Sequence, residues 1–230
     1  MVFQNPQLAL TSKALLFAAF FVLARLGNFS LWSLVLFVLA ALFLYARPFF
    51  RTVEMAGTLV ALLIIAAFFG LTFRDPFDFY FAAVYFPFLF YLVLGIKDLV
   101  LIQRDAWRSF LNFALAYPAF LMFFYYSGGG FWWRLPLLFI ILLFLSKDFL
   151  KKRLAFWLSA FLSIQVAWAA DLLPIGFVSG ANLALLFYAI VVSFMDSYLR
   201  GTFNKKFFLA LVSVFVLLLV TILALSRWGI

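Results

Sequence analysis

The sequence predicts an all-α protein, a polytopic integral membrane bundle of about nine transmembrane helices. Of its 230 residues, 69% are hydrophobic and 11% are charged, whereas an average soluble domain has about 25% charged residues. Long apolar runs recur, and a helical run of about 18 residues can cross the hydrocarbon core of a bilayer. The runs do not alternate apolar and polar residues, so a transmembrane barrel is excluded.

Charged residues between the apolar runs mark the ends of the predicted spans. The N-terminal spans are 14–24, 29–46, 55–73 and 77–96. The first is short, as in a signal peptide or an interfacial helix. Because Arg25 follows it directly and no A-x-A cleavage site does, we interpret it as an uncleaved first helix. If it does not span, eight helices remain and the N-terminus lies on the opposite side.

The later predicted spans are 109–126, 132–146, 154–173, 176–197 and 207–225. Segment 132–146 contains Arg134, which we expect to extend towards the headgroups beside two tryptophans. This segment must cross, since otherwise the cations at 147–153 would lie on the wrong face. All connections are short, so residues 1–230 are predicted to form a single transmembrane domain without a soluble domain.

The cations are distributed unequally between the two predicted faces. Four are expected on one face: Arg25, Arg74, Arg134 and Arg227. Thirteen are expected on the other: Lys13, Arg47, Arg51, Lys97, Arg104, Arg108, Lys147, Lys151, Lys152, Arg153, Arg200, Lys205 and Lys206. The positive-inside rule then places the N-terminus inside and the C-terminus outside, in a cell membrane. The net charge of +9 therefore reflects topology, and nucleic acid is not an expected partner.

The residue types that are missing restrict the chemistry. The chain has no Cys and no His. Thiolate metal sites, Cys nucleophiles, Ser-His-Asp catalysis and most transition-metal sites are thus excluded. No cofactor or metal is predicted, and the scattered acids favour a protein that is not an enzyme.

Asp171, near the end of the seventh span, is the leading candidate for a proton or cation site, because ionisable groups near a membrane interior are costly. Gln165 and Asn182 are its predicted partners. The alternative is that Asp171 caps the turn before Pro174 at the membrane surface.

Small residues recur at every fourth position in the seventh and eighth spans, a pattern that lets helices approach closely. They are Ser159, Ser163 and Ala167, and Gly176, Gly180 and Ala184. We expect these faces to form an antiparallel hairpin.

Proline interrupts the middle of two spans, at Pro87 and Pro118. Proline frees a carbonyl and bends a helix, and paired breaks at the membrane midplane are where transporters build substrate sites. Asn112 and Tyr117 offer polar groups nearby. The alternative is that both prolines only shape the packing.

Two basic clusters occur on the predicted inner face: Lys151, Lys152 and Arg153, and Lys205 and Lys206. Such residues attract anionic headgroups by about 1 kcal/mol each. Simple anchoring of the topology is the alternative.

The predicted function is transport or handling of a small or lipid-like substrate within the bundle. Two alternatives remain open: a structural or assembly subunit that binds a membrane protein partner, and a membrane enzyme acting on a lipid or polyprenyl substrate.

Overall fold

A computed structural model describes residues 6–47, 54–72, 75–126, 131–150 and 152–226. Within these ranges the chain forms nine α-helices and no strands, which confirms the all-α prediction. The helices are α1 (Pro6–Leu26), α2 (Leu31–Ala46), α3 (Ala56–Thr72), α4 (Pro76–Lys97), α5 (Arg104–Tyr125), α6 (Phe131–Phe149), α7 (Arg153–Asp171), α8 (Phe177–Leu199) and α9 (Lys205–Leu225).

Several helices extend beyond the apolar runs that predicted them. Helix α1 has 21 residues and includes Lys13, although the predicted span began at residue 14. Helix α5 starts at Arg104, five residues before the predicted boundary at 109. Polar residues are compatible with a helix outside the hydrocarbon, so hydropathy marks where the apolar layer ends and not where the helix ends.

Among the residues that the structure describes, five helices are long and apolar enough to cross a membrane: α1, α4, α7, α8 and α9. Helices α2 and α3 are apolar but shorter, with 16 and 17 residues. Helices α5 and α6 each carry three charged residues. Length and composition are therefore those of a membrane protein.

The chain divides into two compact units, Met1–Ala114 and Leu115–Ile230, and the division falls within α5. In the first unit, α1 packs against α2 and α4, and α3 packs against α4. Buried phenylalanines fill its core. The rings of Phe17 and Phe90 stack with centroids 4.4 Å apart, and Phe37 meets Phe17 edge-on at 5.1 Å. Such pairs add to the stabilisation from area burial alone.

In the second unit, α7 packs against both α6 and α8, and α8 packs against α9. Tyr188 of α8 is fully buried. Its ring lies edge-on to Phe120, and its hydroxyl is 3.4 Å from the Ser146 hydroxyl on α6. Helices α7 and α8 contact each other and are joined only by residues 172–176, so they form a hairpin.

Candidate functional site

Asp171 lies next to a buried arginine. Its Oδ2 atom is 3.5 Å from Nη2 of Arg134, and the two side chains are only 14% and 3% exposed. The expectation that Arg134 extends to the headgroups is therefore wrong. Removing a guanidinium from water is costly unless a counter-charge and acceptors surround it, and here Asp171 supplies the counter-charge.

Three helices build this pair. Arg134 is in the first turn of α6, and Asp171 is the last residue of α7. The Arg134 Nη1 group donates to the Phe123 carbonyl of α5 at 2.8 Å, and the guanidinium lies 5.0 Å from the centre of the Phe123 ring. Within the described part of the chain, the Arg134 Nε–H is buried without an acceptor.

The other residues predicted to join Asp171 lie elsewhere. Gln165 is on the exposed face of α7, and Asn182 is half-buried on α8. Among the described residues, neither forms a hydrogen bond with Asp171. The sequence pattern did not identify Arg134 as the partner, because α6 and α7 approach each other only in the folded chain.

The small residues of α7 that recur at every fourth position are buried. Ser159, Ser163 and Ala167 are completely inaccessible, and the Ser163 hydroxyl donates to the Ser159 carbonyl at 2.7 Å. The Ser163 hydroxyl is thereby satisfied within its own helix, so it offers no donor to a ligand.

The small residues of α8 do not act as one face. Ala184 is fully buried. A Cβ atom on Gly180 would lie 2.8 Å from the Phe124 ring of α5, so this glycine accommodates an aromatic ring of α5. Gly176 is the exposed N-cap of α8 with open space around it, so it takes no part in packing.

The two prolines lie inside continuous helices, and both are buried. Pro118 has no N–H to donate to the Ala114 carbonyl four residues earlier. The Tyr85 hydroxyl of α4 donates to that carbonyl at 2.6 Å. The Ala114 carbonyl, which lacks its backbone donor, thus accepts a hydrogen bond from a side chain of the protein. Of the polar residues predicted beside the break, Asn112 is buried and Tyr117 is half-buried.

A second buried cation occurs in the first unit. Lys97, counted from the sequence among the cations of the inner face, is fully buried. Its ammonium group donates to the Tyr45 carbonyl in the last turn of α2, and it lies 3.8 Å from Asp98 Oδ1. Lys13 donates to the carbonyl of Arg47, which is the C-cap of α2. The two lysines therefore satisfy carbonyls at the negative end of this helix dipole.

Asp98 balances part of this charge. Its carboxylate lies 4.0 Å from Lys13 as well as close to Lys97. Burial raises the pKa of Asp98, and the Coulombic attraction of Lys97 and Lys13 opposes that shift. A Schellman-type turn with Leu99 at φ 61° ends α4 and positions this carboxylate.

The described members of the basic clusters are exposed: Lys152, Arg153, Lys205 and Lys206. Lys151 lies outside the described residues. These cations are at the starts of α7 and α9, which have no acidic residue in their first turns. Cations at a helix N-terminus oppose the dipole. Both helix starts therefore favour an anion from outside the chain.

An apolar groove of about 230 Å³ lies between α7, α8 and α9, and we call it the α8–α9 groove. Its lining consists of Leu162, Ile190, Val191, Phe194, Met195, Phe208, Leu211, Val212 and Phe215. Phe208 is three residues after Lys205, so the groove begins within about one turn of the basic start of α9. Sequence analysis missed it, because apolar residues in a span have the same composition whether they face lipid or a groove.

A group of three or more acidic side chains that could hold a metal ion does not occur among the described residues. Comparison with known protein families, curated proteins and solved structures finds no match to this chain.

Proposed function

We propose that this chain is an integral membrane protein that binds and handles an anionic lipid. The observation that carries this proposal is the α8–α9 groove, which is lined only by apolar residues and starts within one turn of Lys205 and Lys206. An anionic phospholipid likewise combines a charged headgroup at the interface with apolar acyl chains in the hydrocarbon.

The positive charge at the start of α9 supports the binding of a phosphate-bearing headgroup. Lys205 and Lys206 are exposed, and the N-cap is the neutral Asn204, whose amide oxygen accepts from the Phe207 N–H at 2.7 Å. No carboxylate occurs in the first turn to neutralise the lysines and the helix dipole. A headgroup phosphate would neutralise both.

The shape of the groove supports an acyl chain as its occupant. Helix α9 packs against α8 and has no buried residue, so the groove is accessible from the side. In a bilayer this side faces lipid, and a chain can enter without crossing a polar barrier. A chain that comes from the bilayer is already in hydrocarbon, so the packing of its methylene groups against the apolar walls, and not removal from water, would favour it in the groove.

The proposed placement uses nine spans, with the N-terminus inside and the C-terminus outside. Exposed tryptophans support it, because tryptophan concentrates at membrane interfaces. Trp32 and Trp132 lie in the first turns of α2 and α6, and Trp168 lies in the last turn of α7. In this placement all three lie at the outer interface, and the α8–α9 groove opens from the inner leaflet.

Binding is tested by native mass spectrometry of the protein purified in mild detergent with phosphatidylglycerol. We expect bound lipid in the parent and a loss of about thirtyfold in affinity in Lys205→Gln/Lys206→Gln, since two headgroup contacts of about 1 kcal/mol each are removed. The control is Lys147→Gln, an exposed cation of the last turn of α6, where the dipole already favours positive charge.

Handling is tested with a groove variant in proteoliposomes containing fluorescent phosphatidylglycerol. Leu211→Trp fills the groove, whereas Leu209→Trp changes a residue that is 64% exposed on the same helix. We expect the first variant to slow lipid movement between leaflets and the second to behave as the parent. If the parent binds no lipid, or if both tryptophan variants move lipid like the parent, the proposal is rejected.

A structural or assembly subunit is the second candidate, and the exposure of α9 favours it. A helix with no buried residue can also pack against a helix of another membrane protein. Recovery of a stoichiometric partner chain that Leu209→Trp displaces would support this candidate over lipid handling.

A further inference from the structure

The buried guanidinium of Arg134 has more N–H donors than the described residues satisfy. Its Nη1 group donates to the Phe123 carbonyl. Its Nη2 group is 3.5 Å from Asp171 Oδ2, which is longer than the roughly 2.8 Å of a charge-assisted hydrogen bond. Its Nε group is buried and has no acceptor within the described part of the chain. Because a buried donor without an acceptor is costly, this arginine favours a further acceptor that the described residues do not supply.

The two nitrogens without a close acceptor share one edge of the guanidinium. The N–H groups of Nε and Nη2 point in parallel, in the geometry that matches the two oxygens of a phosphate or a carboxylate. Phe123 holds the guanidinium elsewhere, through its carbonyl at Nη1 and through its ring, whose centre is 5.0 Å away. The Nε–Nη2 edge, which meets Asp171 at a long distance, is therefore the edge suited to an oxyanion.

The charges at this edge restrict which ligand fits. Arg134 and Asp171 are neutral as a pair. An anion on the arginine would lie beside the Asp171 carboxylate, and like charges this close repel strongly in a buried site. A ligand that carries an ammonium as well as an oxyanion avoids this repulsion, because each buried charge then has an opposite charge beside it. A zwitterion is thus the matched ligand.

The position of the pair indicates a ligand at a membrane interface. Arg134 is in the first turn of α6 and Asp171 is the last residue of α7, so both charges lie at helix ends. Trp133 and Trp168, close to them in sequence, are 43% and 48% exposed, and tryptophan concentrates at the level of the headgroups. The Asp171 side chain is 14% exposed, so the pair is accessible from its acidic side.

We propose that this pair binds a phosphoethanolamine group, with the phosphate on the Nε–Nη2 edge of Arg134 and the primary ammonium on the Asp171 carboxylate. The group is carried either by a phosphatidylethanolamine headgroup or by a small free zwitterion, and both sources present the same phosphate and ammonium.

This site is distinct from the α8–α9 groove. Asp171 is near the start of α8, whereas Lys205 follows the end of α8. Helix α8 has 23 residues, so its two ends are about 35 Å apart. The ligand also differs, since it is zwitterionic and not anionic. The two proposals therefore fail independently.

The first probe is phosphatidylethanolamine added to the detergent-purified protein, with bound lipid counted by native mass spectrometry. One reference is phosphatidylcholine with the same acyl chains, whose quaternary ammonium has no N–H to donate, and the other is phosphatidylglycerol, which has no ammonium. The second probe is free phosphoethanolamine, with the Tm as the readout and inorganic phosphate of equal ionic strength as the reference. All measurements use the Lys205→Gln/Lys206→Gln background, so the start of α9 does not contribute.

Two variants separate binding from folding. Arg134→Lys keeps the charge beside Asp171 but cannot present two parallel N–H groups, so we expect it to weaken phosphatidylethanolamine binding by about tenfold. Asp171→Asn removes the repulsion of a bare anion together with the partner of the ammonium, so it should reverse the preference and bind phosphatidylglycerol better than phosphatidylethanolamine. Arg153→Lys, at the exposed start of α7, is the matched control and should bind as its background does.

A ligand series tests the same idea without a change at the site. Successive N-methylation of phosphatidylethanolamine removes the N–H donors one by one, and we expect the affinity to fall along the series to phosphatidylcholine. This result does not depend on whether Arg134→Lys or Asp171→Asn folds.

Each outcome decides the proposal. A rise in Tm with free phosphoethanolamine that Arg134→Lys abolishes assigns a free zwitterion as a source. Retention of phosphatidylethanolamine that Arg134→Lys abolishes, without that rise in Tm, assigns a headgroup. Equal binding along the N-methyl series, equal behaviour of Arg134→Lys and Arg153→Lys, or no response to either probe overturns the proposal.

Discussion

Arg134 and Asp171 each occupy a helix end where their charge is unfavourable alone. An arginine in the first turn of α6 opposes the positive end of that dipole, and an aspartate at the end of α7 opposes the negative end. At 3.5 Å the two charges compensate each other. Asp171 therefore acts first as the counter-charge of a buried arginine, and any proton or cation role must operate through this pair.

Asp171→Asn should lower the free energy of unfolding by about 3 kcal/mol, because it leaves a buried guanidinium without its counter-charge. The matched control is Asp196→Asn. Asp196 pairs with Arg200 at 2.8 Å in a solvent-exposed i,i+4 contact, and such a contact contributes about 0.5 kcal/mol. Thermal unfolding in one detergent compares the two.

The charge-swapped double variant Arg134→Asp/Asp171→Arg sharpens this test. Each charge would then favour its own helix dipole, so the double variant should recover part of the lost stability. Equal stability of Asp171→Asn and the parent would show that the pair does not stabilise the fold. Asp171 would then again be the leading candidate for a proton or cation site.

At the scale of the helix, Tyr85 and Pro118 explain how a proline is tolerated in α5. The carbonyl that Pro118 leaves without a donor accepts the Tyr85 hydroxyl, so the polar group is satisfied within the protein. Paired prolines suggested a substrate site from sequence alone. The contact with Tyr85 favours the structural interpretation for Pro118.

We expect Tyr85→Phe to destabilise the protein by about 1 kcal/mol, the usual cost of a lost hydrogen bond. In a Pro118→Ala background the restored backbone N–H donates to the Ala114 carbonyl, so Tyr85→Phe should lower the stability less there. Tyr80→Phe, a 68% exposed position of the same helix, should be neutral in both backgrounds. An identical cost of Tyr85→Phe with and without Pro118 would refute this account.

At the scale of the whole molecule, the proposed topology makes opposite ends of the helices accessible from opposite sides. The chain contains no cysteine, so single cysteines can be introduced without first removing others. Ile102, between α4 and α5, is 98% exposed, and Leu172, after α7, is 72% exposed. These two positions should lie inside and outside, respectively.

A membrane-impermeant maleimide added to intact cells should label Leu172→Cys but not Ile102→Cys, and permeabilised cells should show both. Leu8→Cys, near the start of α1, separates nine spans from eight. It is protected in intact cells if α1 spans and labelled if it does not. Labelling of Ile102→Cys in intact cells would contradict the inside placement of the basic loops.

Sequence periodicity and hydropathy predicted the helices and their order well. Apolar runs of sufficient length have few alternatives to a helix, because an unsatisfied backbone is too costly in a bilayer. The ends were predicted less well, as for α1 and α5, since polar first turns have no hydrophobic signal. The spacing of Ser159, Ser163 and Ala167 follows the helical repeat, which places them on one side of α7, and all three are buried.

The candidate sites depended on contacts between helices that are distant in sequence. Arg134 and Asp171 are 37 positions apart, and Tyr45 and Lys97 are 52 apart. Nothing in the local pattern around Lys97 distinguishes it from an exposed anchoring lysine. The sequence by itself determined the helical fold class and the number of charges to be accommodated. Only the tertiary structure decided which charges are buried and paired, because the burial of a side chain depends on which helices pack around it.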